Sequence, residues 1–334
     1  MYKKNYKLFL VVIAMVLMVS VALTGCGTKQ AEQPKQEAPK YPERPVEVIV
    51  GWGAGGGTDV FARSLTKPLS NILGQPMPVK NMPGASATVA ADYVAQQPAD
   101  GYTVWAMTST CLPVNVALGR APHPADTYIP VARLQDDVGM LHVNANSPLK
   151  TIEDVIEYAK KNNLKVGGTG AVSHDEVVVA LWADAAGIPV TYVPYERAGD
   201  MHAALMGGHI DAMYEEMGPV AGLVKAGNIK PVLAFSKSKI RGFDDLPIAP
   251  DKGWNITLGL WRGIMVKKGT PDHVVKALQA AIEKAKDDPE YKAMEAERYL
   301  DLVPGYLKGD DFKKNIEDSI NTYISALKKL GHIK

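Results

Sequence analysis

The sequence predicts an α/β fold built of two lobes. Short apolar strands alternate with helical runs along most of the chain. A strand, a glycine loop and a helix follow one another twice, first around residues 46–73 and again around 165–186. Two such units in separate halves predict two lobes that face one ligand.

The N-terminus is read as an export signal. Lys3, Lys4 and Lys7 precede an apolar run at 8–22, and Leu23-Thr24-Gly25-Cys26 follows it. That run is shorter than the ~20 apolar residues that a spanning helix needs, so residues 1–25 are expected to be a signal peptide. Leu-Thr-Gly-Cys resembles a bacterial lipobox. Cys26 is therefore the expected lipidation site, and it predicts an extracytoplasmic protein held on the cell membrane by its lipid. The other cysteine, Cys111, is left without a partner and is expected in the core. Residues 26–40 have the polar, Pro-containing composition of a tether.

The body begins near Tyr41. Strands are expected at 46–50, 77–81 and 102–107, with helices at about 58–73 and up to 97 between them. In the middle third, helices at 151–161, 174–186, 199–207 and 219–226 alternate with strands at 165–168, 190–195, 209–214 and 230–235. From Pro271 the tail reads as mostly helical, with Pro just inside a helix start. The alternation favours largely parallel sheets.

Charge excludes one class of partner. The chain has 37 basic and 36 acidic residues, with no basic stripe of the kind a nucleic-acid binder carries.

The loop Gly51-Trp52-Gly53-Ala54-Gly55-Gly56-Gly57-Thr58-Asp59 sits between a strand and a helix. Glycines let a ligand approach the backbone, and a helix start offers free N–H donors to an anion. Gly51, Gly53 and Gly56 match GxGxxG, but the second strand ends in Lys80-Asn81 without the acidic residue a dinucleotide site needs. No Lys follows Gly57, which excludes a Walker loop. A tight turn, with Thr58 or Asp59 as helix cap, is the competing explanation. The second loop, Gly167-Gly168-Thr169-Gly170-Ala171-Val172-Ser173, adds hydroxyl donors. Ser173-His174-Asp175 are consecutive and diverge, so they form no triad. There is no HExxH and no cysteine ligand pair. Neither an enzyme, a metal site nor a cofactor is expected.

Several ordered motifs carry a resemblance. They are Tyr41-Pro42 with Arg44-Pro45, Gly55-Gly56-Gly57-Thr58-Asp59 with Ala62-Arg63, Asn81-Met82-Pro83-Gly84-Ala85, and Pro98-Ala99-Asp100-Gly101-Tyr102-Thr103. Val193-Pro194-Tyr195, Leu205-Met206-Gly207-Gly208-His209-Ile210-Asp211 and Lys268-Gly269-Thr270-Pro271 follow. With these the body resembles the substrate-binding receptors of tripartite tricarboxylate transporters, the TctC or Bug family. The resemblance implies a type II periplasmic-binding-protein flytrap with a mainly parallel sheet in each lobe. It places lobe 1 at 41–143 plus 259–334 and lobe 2 at 144–258, with crossovers near 141–147 and 255–262. It implies capture of a small organic carboxylate by a monomer for integral-membrane transporter subunits. A lipid-anchored sensor and, at lower weight, a surface enzyme stay open as alternatives.

The expected ligand-binding set is Trp52, Gly53, Ala54, Gly55, Gly56, Gly57, Thr58, Asp59, Thr108, Ser109, Thr169, Gly170, Ala171, Ser173, Tyr195, Glu215 and Arg262. Trp52 is a wall of the cleft or a core residue. Arg262 pairs with a distal carboxylate or forms an interlobe salt bridge. Glu215-Glu216 stand where the family often has Asp-Asn. Either they meet a cationic part of the ligand or they point to solvent, since a buried carboxylate facing an anion is unfavourable.

Overall fold

A computed structural model describes residues 40–334. The expected signal peptide, Cys26 and the expected tether up to residue 39 lie outside the described residues. No helix among the described residues is long and apolar enough to cross a membrane.

Two sheets organise the body. The first is six-stranded, in the order β11-β4-β10-β3-β1-β2, and the second is five-stranded, β7-β6-β8-β5-β9. The strands of the first are β1 (Glu47–Val50), β2 (Val79–Asn81), β3 (Thr103–Thr108), β4 (Tyr128–Asp137), β10 (Leu260–Lys267) and β11 (Leu307–Lys308). Those of the second are β5 (Gly139–Asn144), β6 (Leu164–Thr169), β7 (Val190–Tyr195), β8 (Ala212–Glu216) and β9 (Ile229–Ala234). Apart from the short edge strand β11, the two orders match. In each, one reversed strand lies between the third and fourth parallel ones: β10 between β3 and β4, β5 between β8 and β9. Each reversed strand is the first that the chain forms after crossing into that lobe. This is the two-lobed type II arrangement.

Helices cover both faces of both sheets. On the first lobe α1 (Gly57–Leu73), α8 (Asp272–Ala285) and α9 (Pro289–Glu297) bury Phe61, Leu65, Leu69, Leu278, Ile282 and Tyr291 on one face. The other face takes α2 (Thr88–Gln96) and α10 (Gly309–Lys329), with Trp105, Trp261 and Phe312. On the second lobe α4 (Ile152–Ala159) and α5 (His174–Ala186) pack Val155, Val178 and Trp182 on one side. Helices α6 (Ala198–Met206) and α7 (Met217–Lys225) pack Met201, Leu205 and Val220 on the other. Each fully buried Leu or Phe contributes roughly 1.5–3 kcal/mol by leaving water. Thr151 and Asp154 start α4 with a reciprocal capping box.

The first crossover differs from the expected one. Residues β4 and β5 meet at Val138, and β5 hydrogen-bonds only within the second sheet. The chain therefore changes lobe at 138 and not within 141–147. Pro130, Arg133, Asp136 and Asp137 interrupt the apolar pattern of β4 that would mark a strand in the sequence. Its polar end is the part that leaves the core. Pro130 is accommodated at a register shift against Met265. The returning strand lies beside the outgoing one, with Leu260 opposite Asp137. Gly259 permits this, since a Cβ there would sit 2.8 Å from Asp136 Oδ1.

The C-terminal segment also departs from a simple first-lobe assignment. Tyr299, Leu302 and Val303 pack on the second lobe's core. Helix α10 then touches both lobes. Tyr323 and Leu327 cluster with Val114 and Ala117 of α3 (Pro113–Ala117) and with Val177 of α5. The Tyr323 hydroxyl lies 2.5 Å from His174 Nδ1, and Lys329 pairs with Asp184 at 2.5 Å.

Candidate functional site

The carboxyl ends of the parallel strands hold every loop singled out in the sequence, which is where open α/β sheets bind ligands. Loop 51–56 follows β1, residues 109–112 follow β3, loop 170–173 follows β6, and β8 ends at Glu215-Glu216. Arg262 enters the same region from β10, opposite Thr108 and Gln135.

In the first loop Gly53, Ala54, Gly55, Gly56 and Gly57 are exposed. Two glycines are dictated by geometry. Gly55 has φ +82°, and a Cβ on Gly57 would sit 2.8 Å from Arg262 Nη2. A Cβ on Gly53 would meet nothing within 4 Å, so the loop has open space before it. Helix α1 has no side-chain cap: Gly56 is its N-cap residue. The amides of Gly57, Thr58 and Asp59 are therefore donors that the helix leaves open. Thr58 is buried.

Asp59 braces this loop from within. Its Oδ2 accepts from Gly55 N at 2.8 Å, Oδ1 accepts from Asn81 Nδ2 at 2.9 Å, and Arg63 Nε donates at 3.0 Å. Burial opposes ionisation, but the bonds from Arg63, Gly55 and Asn81 outweigh it and hold the carboxyl below its usual range. Its carboxylate is thus engaged by the protein itself and positions the backbone of the loop. Trp52 is half-buried against both first-lobe clusters, and its indole N–H points to Cys111 Sγ at 3.2 Å. Thr108 is buried, bonded to Thr110 at 2.6 Å, and Ser109 is buried with its amide on Trp261 O. Cys111 is a buried thiol, as expected of a core residue.

The second loop is built differently, because its hydroxyls are engaged by the protein. Thr169 N and Oγ1 both donate to Asp175 Oδ2 at 2.7 Å. Ser173 caps α5, accepting from Glu176 N. Gly170 has φ +75° and donates to Tyr195 O. Ala171 is exposed and Tyr195 half-buried. Val172 has φ +48°, a left-handed conformation that a β-branched residue rarely adopts. Such strain recurs where surrounding structure fixes a loop for function. A second strained stretch, Ala85, Ser86 and Ala87 at φ 45°, 53° and 69°, is held by Asn115 Nδ2 on Ser86 O at 2.8 Å.

Between the loops lies a buried charged group. Arg262 Nη1 reaches Asp137 Oδ2 at 3.2 Å and Gln135 Oε1 at 3.4 Å. The pair lies within the first sheet, so Arg262 is not the interlobe bridge that was one of its two expected roles. Asp137 nevertheless abuts the second lobe: a Cβ on Gly218 of α7 would sit 3.0 Å from its Oδ2. Glu215 and Glu216 are both buried, which removes the solvent alternative. His202 Nε2 lies 3.2 Å from Glu215 Oε2. Burial pushes Asp137 up to about 6 against the opposing Arg262 charge, and Asp175 up to about 7, where Glu215 adds to the effect. Glu216 is raised well above the usual range, by burial first and then by Glu215, Asp175 and Asp137. Asp137 and Tyr323 escaped the sequence reading. Asp137 lay in a stretch assigned no element, and Tyr323 is one aromatic in a polar helix.

A cavity of about 610 Å³ lies at the crossovers, lined among others by Arg133, Asp136, Asp137, Lys237, Asn255 and Tyr323. Neither glycine loop lines it.

The family model for the tripartite tricarboxylate transporter family receptor (TctC) matches residues 61–332. This chain belongs to that family. A UPF0065 protein of Cupriavidus necator is 30% identical over 310 residues, covering 91% of this chain and 93% of its own length. Among solved structures, a TctC solute binding protein from Polaromonas is 30% identical with a TM-score of 0.73, covering 86% of this chain and 99% of its own. MatC from Rhodopseudomonas palustris, solved with bound malate, is 25% identical with a TM-score of 0.74, covering 86% of this chain and all of its own. As a TctC receptor the chain is an extracytoplasmic solute-binding protein.

Proposed function

We propose that this receptor captures a small organic carboxylate between its lobes and delivers it to the membrane subunits of a tripartite tricarboxylate-type transporter. The uncapped start of α1 with Arg262 against Gly57 carries this reading. Open amides and a guanidinium converge on one exposed loop, an arrangement that favours an anion. Arg262 Nε is buried with no hydrogen-bond partner among the described residues. It keeps a donor in reserve next to this loop. Malate in MatC belongs to the same chemical class.

Residues of both lobes then close on the solute. Gly170 and Ala171 of the strained second loop face the cleft, and Trp52, Thr108 and Ser109 form the floor behind the first. The hinge runs through Val138 and Gly259, with ligand contacts favouring the closed form. The receptor acts as a monomer tethered through lipidated Cys26. Cys26→Ala is expected to move the protein from the membrane to the soluble fraction, and continued membrane association would show that residues 8–22 remain as an anchor.

A thermal-shift screen of mono-, di- and tricarboxylates, with amino acids and aromatic acids, tests the capture itself. A binder raises the unfolding temperature by mass action. The hit's effect is expected to vanish in Gly57→Val, and an undiminished shift would remove loop 51–59 from the site.

A further inference from the structure

The carboxylates at the cleft outnumber the cations that the protein supplies. Asp137 ends β4, Glu215 and Glu216 end β8, and Asp175 opens α5, so three elements bring four acidic side chains together. All four are at least nine-tenths buried. Arg262 answers Asp137 through one oxygen, and the His202 ring lies against Glu215 with Nε2 3.2 Å from Oε2. Asp175 Oδ2 is taken by Thr169. That leaves Asp137 Oδ1 on the first lobe and Glu216 Oε1 on the second. Both are buried and without a hydrogen-bond partner among the described residues. A buried acceptor left unmet is costly, and a buried charge more so.

Protonation alone does not resolve the arrangement. A neutral Glu216 can donate its O–H to one neighbouring carboxylate, but that supplies one donor and no positive charge, and the other carboxylates remain. Its surroundings are Glu215, Asp175 and Asp137 with a single guanidinium. An ammonium group supplies both missing features at once, a positive charge and three donors. A metal ion fits less well, since no group of three or more His, Cys, Asp or Glu among the described residues is placed to hold one.

We propose that the solute carries a cationic nitrogen as well as a carboxylate, and that Glu216 and Asp137, backed by Glu215 and Asp175, hold the nitrogen. The inference rests on the carboxylate-capture reading above and narrows it to amino-carboxylates. The α1 amides and Arg262 take the carboxylate, and the acidic group takes the ammonium. Because Asp137 belongs to the first lobe and Glu216 to the second, the nitrogen is gripped from both sides and rewards closure. A carboxylate lacking nitrogen leaves Glu216 and Asp137 buried and unmet when the lobes close.

Calorimetric titration with matched pairs tests this: succinate against L-aspartate, glutarate against L-glutamate, butyrate against γ-aminobutyrate, within a wider panel of mono-, di- and tricarboxylates. At least one amino-bearing member is expected to bind tenfold or more tighter than its partner. Glu216→Gln is expected to weaken that member at least tenfold while changing its nitrogen-free partner by less than threefold. If Glu216→Gln fails to fold, the pairs on the wild-type protein decide alone. Carboxylates that bind with no gain from the nitrogen overturn this inference and leave the capture reading standing. If no carboxylate binds, with or without nitrogen, both fall.

Discussion

Arg262 and Asp137 form a buried ion pair through a single contact of 3.2 Å, with side chains 5% and 0% exposed. One Asp137 oxygen and the Arg262 Nε remain without partners among the described residues. The pair is thus only half-satisfied where the two crossover strands lie side by side.

Removing the cation exposes that imbalance. Arg262→Met is expected to lower stability by about 3–5 kcal/mol at pH 7.5, the usual cost of stranding a buried charge. Asp137 has a folded pKa of about 6, above its ordinary 3.8. Its ionised form is therefore disfavoured by folding, and that penalty grows as pH rises through 4–6. The loss in Arg262→Met is accordingly expected to shrink at pH 5, measured by urea unfolding at both pH values. An equal loss at both would show that Asp137 is not the stranded group.

His174 and Tyr323 latch the second lobe to the C-terminal helix. The imidazole bonds Tyr323 Oη at 2.5 Å and Tyr214 Oη at 2.9 Å, fully buried. Burial lowers its pKa to about 4. The folded state keeps it neutral, so its contribution is complete above about pH 6.5 and is lost as pH falls toward 4. Tyr323→Phe strands a ring nitrogen and is expected to cost about 1–3 kcal/mol. Small-angle scattering is also expected to show a larger radius of gyration in the ligand-free variant; an unchanged profile would argue that the bond does not hold the lobes.

The neighbouring glycines of the first loop separate approach from turn geometry. Gly57→Ala puts a methyl against Arg262 Nη2, at 2.8 Å, and is expected to weaken carboxylate binding tenfold or more. Gly56 has φ −73°, and its nearest contact is Gly53 O at 3.4 Å, so Gly56→Ala is expected to keep its stability within about 0.5 kcal/mol. Equal affinity losses with unequal stability losses in the two variants would place the constraint in the backbone and not in Arg262.

Asp59→Ala removes the contacts with Gly55, Arg63 and Asn81 that brace the loop. A fall in affinity of about tenfold is expected, with α1 intact by circular dichroism. Unaltered affinity would mean the loop keeps its shape unaided.

Much of the fold was legible in the sequence. The strands and helices of 46–107 and 151–235 follow hydrophobic periodicity, and α5 and β7 fall where alternation and capping residues put them. What escaped was β4, β5 and β10: charged residues interrupt the apolar pattern in β4 and, at Arg262, in β10, whereas β5 is a short apolar run with no turn signal before it. The glycine loops were legible as a pair, because glycine marks close approach directly. Side-chain partners were not. Asp59, Thr169 and Ser173 carry the right chemistry for a ligand, but each spends it on its own loop. Arg262 found Asp137, which no spacing rule connects at a separation of 125 positions. Glu215 and Glu216 stood out only through the family resemblance, and burial removed the reading in which they point to solvent.

The central claim is that a carboxylate seats on the start of α1 beside Arg262. The most direct measurement is a crystal structure of the protein with the strongest binder from the carboxylate panel. A carboxylate oxygen is expected about 3 Å from the amide nitrogens of Gly57 and Thr58, with Gly170 and Ala171 closed over the solute. A carboxylate seated instead in the crossover cavity, beside Arg133 and Lys237, with loop 51–59 free of it, would contradict the account.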